Sequence, residues 1–233
     1  MSCLVRRAEV SAKDHEERGE GERNWRKCPT CNSDYDPNAR LPLSWACWKT
    51  YLSRREQDPF RFGALVTHSH LLHVVGKDED AEPFLLYCLD VYQRFYSSAE
   101  IGSDLFEIVM RSEAMLARTS WNLGNYEESL RRYRATLSDH KKAYGASHPD
   151  TLQISMKLAG ALMKFDGTPE ARTLMRKTLS QARNANGDND ANTILIAKTF
   201  CMCLRVGSHS SDELREAQRI EAKFGPFNFN YSR

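Results

Sequence analysis

The chain has 233 residues, of which 41% are hydrophobic and 27% are charged, a balance typical of an ordinary soluble folded chain. Its formal net charge of +2 is too small to indicate a nucleic-acid or membrane partner. The longest apolar runs, such as 71–75, are far too short to span a bilayer, and the first residues lack the apolar core of a signal peptide. Seven cysteines without an export signal predict free thiols and an intracellular, cytoplasmic location.

The first 58 residues carry little repetitive pattern. Residues 1–27 contain 13 charged residues of both signs, which predicts a disordered tail or a frayed charged helix. Residues 28–58 form an irregular segment that opens with Cys28-Pro29-Thr30-Cys31 and continues into turn-forming residues around Asp36-Pro37-Asn38. An amphipathic aromatic pattern from Leu41 to Arg55 predicts one short helix within this segment.

Residues 59–224 have a helical pattern throughout, because glycine and proline fall almost only at boundaries and no alternation of β-branched residues indicates a strand. The predicted helices cover about 60–75, 79–97, 104–122, 126–143, 149–165, 169–185, 190–206 and 211–224. Residues 225–233 follow as an aromatic tail after the helix-stopping Gly225-Pro226. We expect this tail to cap the last helices or, alternatively, to dock a partner.

The helical region repeats itself. Gly145 recurs as Gly187 after 42 residues, and Glu127 recurs as Glu170 and Glu213 at intervals of 43. Such glycines suit helix ends, because the left-handed conformation costs least for glycine, and the glutamates suit first turns, where the helix dipole favours a carboxylate. Each repeat is therefore interpreted as two helices, and one pair cannot bury its apolar face unless it stacks on the next.

The link between the second and third pairs resembles that of a known family. Gly145-Ala146-Ser147-His148-Pro149-Asp150-Thr151-Leu152 resembles the Gly-x-x-His-Pro-Asp-Thr-Leu link of the kinesin-light-chain type of tetratricopeptide repeat, whose repeats are 42 residues long. Gly124-Asn125-Tyr126-Glu127-Glu128 is similar to the turn inside that repeat, and the resemblance covers 76–224. It implies an all-α, right-handed superhelical stack of about four antiparallel helix pairs, a TPR-like α-solenoid, that binds another protein.

The chain departs from this family just before the Leu-Ala of each first helix. Paired asparagines that bind the peptide backbone in the family are replaced by Ala114-Met115, Met156-Lys157 and Lys198-Thr199. The sequence instead predicts a basic, methionine-lined groove, with these candidate residues: Arg111, Met115, Arg118, Gln153, Met156, Lys157, Lys164 and Lys198. Such a groove suits an acidic extended peptide or amphipathic helix of another protein, and the alternative is a solvated helix face that binds nothing.

A second hypothesis places a zinc ion at Cys28 and Cys31, whose spacing is that of half a zinc site. Completion would require Cys47 and one of three downstream histidines: His68, His70 and His73. The alternative is a pair of free thiols, because no second cysteine pair follows. On the zinc hypothesis the repeats present a zinc module, as in a fragment or relative of a MYND- or SET-type regulatory protein. The histidines are otherwise expected to be core or surface residues.

No catalytic pattern is present in the sequence. The nucleophile elbow, the phosphate-binding loop and the metalloprotease motif are all missing, so neither enzymatic activity nor a cofactor other than zinc is expected. Ser147, His148 and Asp150 occur together, but their expected role is to start a helix. Cys201 and Cys203 would lie about 200° apart on a helix, which predicts two small buried apolar residues.

Overall fold

The computed structural model describes residues 5, 25, 27, 33–165, 168–206, 210–225 and 227. This part of the chain contains nine α-helices, and its β-structure is a single isolated bridge between Lys27 and Asp34. The helices are α1 (Pro37–Tyr51), α2 (Pro59–Val74), α3 (Asp78–Phe95), α4 (Asp104–Asn122), α5 (Tyr126–Tyr144), α6 (Pro149–Lys164), α7 (Thr168–Asn186), α8 (Ala191–Arg205) and α9 (Ser211–Phe224). Chain contacts divide the molecule into two compact units, residues 1–124 and 125–233. The predicted all-α class is confirmed, and α2 to α9 begin and end within two residues of their predicted boundaries.

The first unit is built from α1 to α4. A turn of three residues joins α2 to α3, which pack against each other, while α1 packs on α2 and α4 packs on both α2 and α3. Aromatic and aliphatic side chains of the first three helices form one buried cluster, which includes Leu43, Trp48, Tyr51, Phe62, Leu65, Cys88 and Val91. The short predicted helix is thus a packed part of this unit.

The beginning of α1 corrects one expectation. The sequence places turn residues at Asp36-Pro37-Asn38, but the helix already starts at Pro37, where the Asp36 carbonyl oxygen accepts hydrogen bonds from the backbone N–H groups of Ala39 and Arg40 at 2.9 and 3.0 Å. Proline is well suited to the first position of a helix, because its fixed φ is helical and its missing N–H has no partner there. The same residue types therefore serve equally as a turn and as a helix start.

Side-chain caps explain where several helices begin. An Asp58 carboxylate oxygen accepts the hydrogen bonds of two backbone N–H groups at 3.0 and 3.1 Å at the start of α2, with Pro59 next. At the start of α6, His148 Nδ1 accepts a hydrogen bond from the backbone of the second helical residue at 3.3 Å. Ser210 and Glu213 form a reciprocal capping box at α9. The predicted helix-starting role of His148 is confirmed.

The 42-residue repeat reappears as a repeated backbone conformation. Gly145 and Gly187 follow α5 and α7 with φ of +86° and +82°, a region that side chains other than glycine rarely adopt. A Cβ atom at either position would meet no neighbouring atom within 4 Å. The requirement for glycine therefore comes from the backbone angle alone, and space around the residue plays no part.

The second unit contains α5 to α9. α6 packs against α5, α7 and α8, and α8 packs against α7 and α9. Cys201 and Cys203 of α8 are fully buried free thiols, and burial raises the pKa of each to about 12. They fill space as small apolar residues, as the sequence predicted.

A buried arginine joins three helices of this unit. The Arg172 guanidinium of α7 donates to the carbonyl oxygens of Cys203 at 2.9 Å and Val206 at 2.8 Å, at the end of α8. It also donates to the Glu213 carboxylate at the start of α9 at 2.9 Å. Only 8% of Arg172 is exposed, whereas the Glu213 side chain is 23% exposed, so the guanidinium is buried and its ion pair is partly open to water. One side chain thereby satisfies the terminal carbonyls of one helix and holds the first turn of the next.

Exposed arginine–glutamate pairs connect successive second helices. Arg134 of α5 makes two hydrogen bonds to the Glu170 carboxylate of α7, at 3.0 and 2.7 Å. Arg176 of α7 makes the same fork to Glu216 of α9, at 2.9 and 2.6 Å. The two arginines are 42 residues apart, whereas the two glutamates are 46 apart, so the arginines follow the repeat and their partners do not. We call these two pairs the arginine ladder.

Candidate functional site

The predicted groove residues of the second unit lie on two neighbouring first helices. α6 and α8 pack against each other, and the Thr199 hydroxyl donates to the Met156 sulfur at 3.8 Å. α7 covers one side of both helices. On another side, each helix keeps one stripe of accessible residues. The two stripes consist of Gln153, Met156, Lys157, Gly160, Met163 and Lys164 on α6, and Leu195, Lys198, Thr199, Met202 and Arg205 on α8. We call the surface that they form the α6–α8 face.

The α6–α8 face combines apolar and basic groups. Leu195 is 49% exposed, which is unusual for a leucine on a helix that is otherwise packed on three sides. Neither Lys164 nor Lys198 has a carboxylate partner in the part of the chain that the structure describes. Arg205, in contrast, is ion-paired with Glu221 of α9 at 2.6 Å. Lys164 and Lys198 therefore contribute positive charge to the face.

The other predicted groove residues belong to α4 in the first unit. Met115 is half-buried and packs against the apolar cluster around Leu72 and Leu116. Arg111 and Arg118 are exposed, and Arg118 Nε donates to the side-chain oxygen of Asn122 at 3.2 Å. Partner binding at these positions stays a prediction, but the structure separates a packing residue from two accessible arginines.

The three histidines of α2 have hydroxyl partners on neighbouring helices. His68 Nδ1 lies 2.9 Å from the Ser44 hydroxyl of α1. The two histidines of the neighbouring turns face α4 instead: His70 Nε2 lies 2.8 Å from the Ser112 hydroxyl, and His73 Nδ1 lies 2.8 Å from that of Thr119. His68 therefore points in a different direction from His70 and His73. Burial and nearby positive charge, that of Arg111 included, lower the pKa of His70 to about 4, so its ring is neutral at pH 7.

A cleft of about 470 Å³ lies between α1, α2 and α3 in the first unit. Three aromatic rings line it, one from each helix: Trp45, His68 and Phe84. Phe84 stands nearly perpendicular to both other rings, at 85°, with centroid distances of 6.3 Å to Trp45 and 4.9 Å to His68. Lys77 and Asp80 also line the cleft, at the turn before α3 and in its first turn. The residues come from three helices, so no local spacing in the sequence could have predicted this site.

The hydrogen bonds around Ser44 favour a proton on His68 Nδ1. When the Ser44 hydroxyl donates to the Leu41 carbonyl oxygen at 2.8 Å, its oxygen accepts from His68 Nδ1 at 2.9 Å, and this arrangement satisfies both contacts. Burial lowers the pKa of His68 to about 4, an effect partly opposed by the Asp80 carboxylate. The ring is therefore neutral at pH 7, and its Nε2 atom is a hydrogen-bond acceptor.

Comparison with known proteins shows a repeat match and a shared fold. Residues 114–150 match the family described as tetratricopeptide repeat. Two crystal structures of a kinesin-light-chain-like protein of Podosopora anserina with nearly identical TPR-like repeats are similar, at TM-scores of 0.66. The first is 13% identical and covers 94% of this chain and 92% of that chain, and the second, a single-substitution variant, is 14% identical and covers 94% and 95%.

BtubC (BKLC) from P. vanneervenii is similar at a TM-score of 0.62, with 17% identity, 99% of this chain covered and 85% of that chain covered. No curated protein sequence matches significantly. One tetratricopeptide repeat is thus recognised within the chain, at residues 114–150. The fold of the chain is that of kinesin-light-chain-like repeat proteins, as the resemblance of its sequence predicted.

Two of the positions that differ from the kinesin-light-chain repeat pattern are neighbours in the structure. Met156 and Lys157 lie on α6, and Lys198 and Thr199 lie at the equivalent positions of α8, with Met156 in contact with Thr199. The structure thus brings together two of the places where the sequence departs from that pattern. Sequence reasoning found these positions but missed the exposed Leu195 beside them, because a helical pattern alone does not show which apolar residue stays uncovered.

The proposed zinc ligands, Cys28 and Cys31, lie outside the described residues, as does most of the aromatic tail 225–233. Cys47 is a buried free thiol, only 2% exposed, within the core cluster of the first unit. Within the described ranges, no three His, Cys, Asp or Glu side chains are grouped so that they could hold a metal ion. None of the helices described is long and apolar enough to cross a membrane. The zinc hypothesis stays a prediction.

Proposed function

We propose that this protein is a non-enzymatic scaffold that binds a segment of another protein on the α6–α8 face. The observation that carries the proposal is the exposed Leu195 beside Met156 and two lysines, Lys157 and Lys198, on adjacent packed helices. Met156 and Leu195 form an apolar strip on these rigid helices. The strip offers an anchoring contact without a large entropic cost of ordering side chains, and the flanking lysines select a partner by charge. An amphipathic helix or extended peptide with acidic residues has the complementary chemistry.

The replacement of paired asparagines supports a change in what is recognised. Asparagine side chains offer both a donor and an acceptor to a peptide backbone, whereas lysine offers donors only and methionine offers adaptable apolar surface. The partner should therefore be recognised through its side chains, with carboxylates facing Lys157 and Lys198 and apolar groups facing Met156 and Leu195. We place the protein in a reducing intracellular compartment, which suits its four buried free thiols (Cys47, Cys88, Cys201 and Cys203).

A charge-reversal experiment tests the proposal. The double variant Lys157→Glu/Lys198→Glu inverts the charge at these two positions and leaves Met156 and Leu195 unchanged. The variant Leu195→Asp interrupts the apolar strip and leaves both lysines in place. Affinity capture from native extract with quantitative mass spectrometry should show the same proteins lost from both variants. Binding of each captured partner is then measured with purified components, and we expect at least about a tenfold loss for either variant.

The matched control reverses two lysines of the second helices, Lys142→Glu/Lys177→Glu. Both residues are exposed and lie outside the α6–α8 face, so the net charge changes equally. Retention of partners by the control and their loss from the two face variants supports the proposal. Partners that bind all variants equally, or that are lost from the control as well, would show that this face is not the binding surface.

A further inference from the structure

The aromatic cleft between α1, α2 and α3 has a chemistry that the α6–α8 face does not share. Trp45 remains 41% exposed at its edge, although Phe84 and His68 pack beside it. An indole with a free aromatic surface next to a cavity is a favourable site for a ligand, because it offers a large contact area at little entropic cost. The volume of about 470 Å³ is that of a site for a large side chain.

The electrostatics of the cleft favour a cation. Aromatic faces carry partial negative charge, and His68 Nε2 is an acceptor because its other nitrogen donates to Ser44. The Asp80 carboxylate adds a full negative charge and has no ion-pair partner among the residues that the structure describes. Lys77 is the single cation that lines the cleft. An anionic ligand would meet one favourable group here and several unfavourable ones.

Trp45 already contacts a cation elsewhere. The Lys49 ammonium lies 5.7 Å from the centroid of the Trp45 ring, and Lys49 does not line the cleft. The Lys49 ammonium therefore contacts the indole from outside the cleft, and the side of the indole that lines the cleft remains accessible. The same attraction is available to a ligand group inside the cleft.

We propose that this cleft binds the guanidinium group of an arginine side chain presented by another polypeptide. A guanidinium is planar, so it can stack on Trp45, and its five N–H donors can serve both His68 Nε2 and the Asp80 carboxylate. An ammonium has no flat face and fills less of the volume. The arginine methylenes would lie along Phe84 and Leu72, which line the same cleft. The inference rests on the proposed scaffold function in one respect, that the arginine belongs to another protein.

A titration of the folded full-length protein with ethylguanidinium tests the chemistry of the cleft. Its neutral isostere ethylurea is the control ligand, and the NMR signals of the Trp45 indole and the His68 imidazole report binding. We expect saturable shifts at both residues with ethylguanidinium, and binding of ethylurea weaker by about tenfold or more because the cation–π and carboxylate contacts are lost.

Variants test which groups of the cleft are responsible. Trp45→Leu and Asp80→Asn should each weaken ethylguanidinium binding by about fivefold to tenfold, measured at the His68 signal. The matched controls are Phe95→Leu, which removes another exposed aromatic ring, and Glu79→Gln, which removes the neighbouring charge of α3. Both control residues lie outside the cleft, so they should leave the affinity unchanged.

Synthetic peptides identify the source of the ligand. A peptide with a central arginine should bind more tightly than the same peptide with citrulline, its neutral analogue, and the preference should disappear in Asp80→Asn. Equal binding of ethylurea, or unchanged binding in Asp80→Asn, would overturn the arginine assignment. Ethylguanidinium binding without a preference for the arginine peptide would overturn the polypeptide source. Because Lys157→Glu/Lys198→Glu leaves the cleft intact, a failure of the scaffold proposal is recognised separately.

Discussion

Replacement of Arg172 by methionine should lower the free energy of unfolding of the second unit far more than replacement of an exposed arginine. The variant removes three hydrogen bonds of a buried guanidinium, to the carbonyl oxygens of Cys203 and Val206 and to the Glu213 carboxylate. Hydrogen bonds from charged donors contribute about 1.5–3 kcal/mol each. The Glu213 side chain is 23% exposed, so water screens its ion pair and the two carbonyl contacts carry most of the effect. We expect a loss of about 3–5 kcal/mol in the free energy of unfolding.

Arg134→Met is the matched control. It removes the same residue type and a forked contact to a glutamate, but both side chains of the Arg134–Glu170 pair are 49% exposed. An exposed pair contributes about 1 kcal/mol or less, because water already solvates both charges. The two arginines differ in burial and in the two carbonyl hydrogen bonds that Arg172 makes in addition to its glutamate contact.

Urea unfolding followed by circular dichroism at low and high salt measures both variants. High salt should reduce the small effect of Arg134→Met, because ions screen exposed charges, and should leave the larger effect of Arg172→Met nearly unchanged. Hydrogen exchange should show faster opening of α9, which Arg172 holds through Glu213. Equal costs for the two variants, or a strong salt dependence of the Arg172→Met effect, would refute the argument from burial.

Three further predictions concern the backbone, the histidines and the proposed metal. Gly145→Ala should destabilise the protein by about 1 kcal/mol because Gly145 has a φ of +86°. Gly160→Ala inside α6 should stabilise the protein by up to about 1 kcal/mol, because no atom lies near the added Cβ. Thermal unfolding measures both variants, and a shift of both melting temperatures in the same direction would contradict the prediction. His68 and His70 have folded pKa values of about 4, below the unfolded value near 6.5. The free energy of unfolding should therefore decrease as pH falls from about 6.5 to 4, by up to about 3 kcal/mol for each residue. In urea titrations, His68→Gln should weaken this pH dependence. If Cys28 binds zinc, metal analysis of purified protein should find one equivalent that is lost in Cys28→Ser, and folded, metal-free wild-type protein would exclude the site.

Much of the fold was predictable because the repeat appears in residues with local backbone roles. Gly145 and Gly187 hold left-handed φ values, and His148 caps α6, so each acts within a few residues of its own position. Local requirements of this kind remain visible in a single sequence. The start of α1 was missed because Pro37 suits both a turn and a helix start, and tertiary packing of Leu43 and Tyr51 decides between them.

The candidate sites were less predictable, because they depend on which helices meet. Comparison with the kinesin-light-chain repeat pattern indicated Met156 and Lys198 as groove candidates, but the exposure of Leu195 depends on where α6 and α7 leave α8 uncovered. The aromatic cleft needs one ring from each of three helices. Trp45 was visible in the sequence only as part of an amphipathic pattern, and nothing local associates it with Phe84.

The arginine ladder links each second helix of the second unit to the next by one arginine–glutamate contact. α7 carries both halves of the contact, since Glu170 accepts from the preceding second helix and Arg176 donates to the following one. A tandem copy of residues 149–190 would therefore bring its own glutamate for the helix before it and its own arginine for the helix after it. A chain built in this way can grow by whole 42-residue blocks while every new junction reuses an existing pair of side chains.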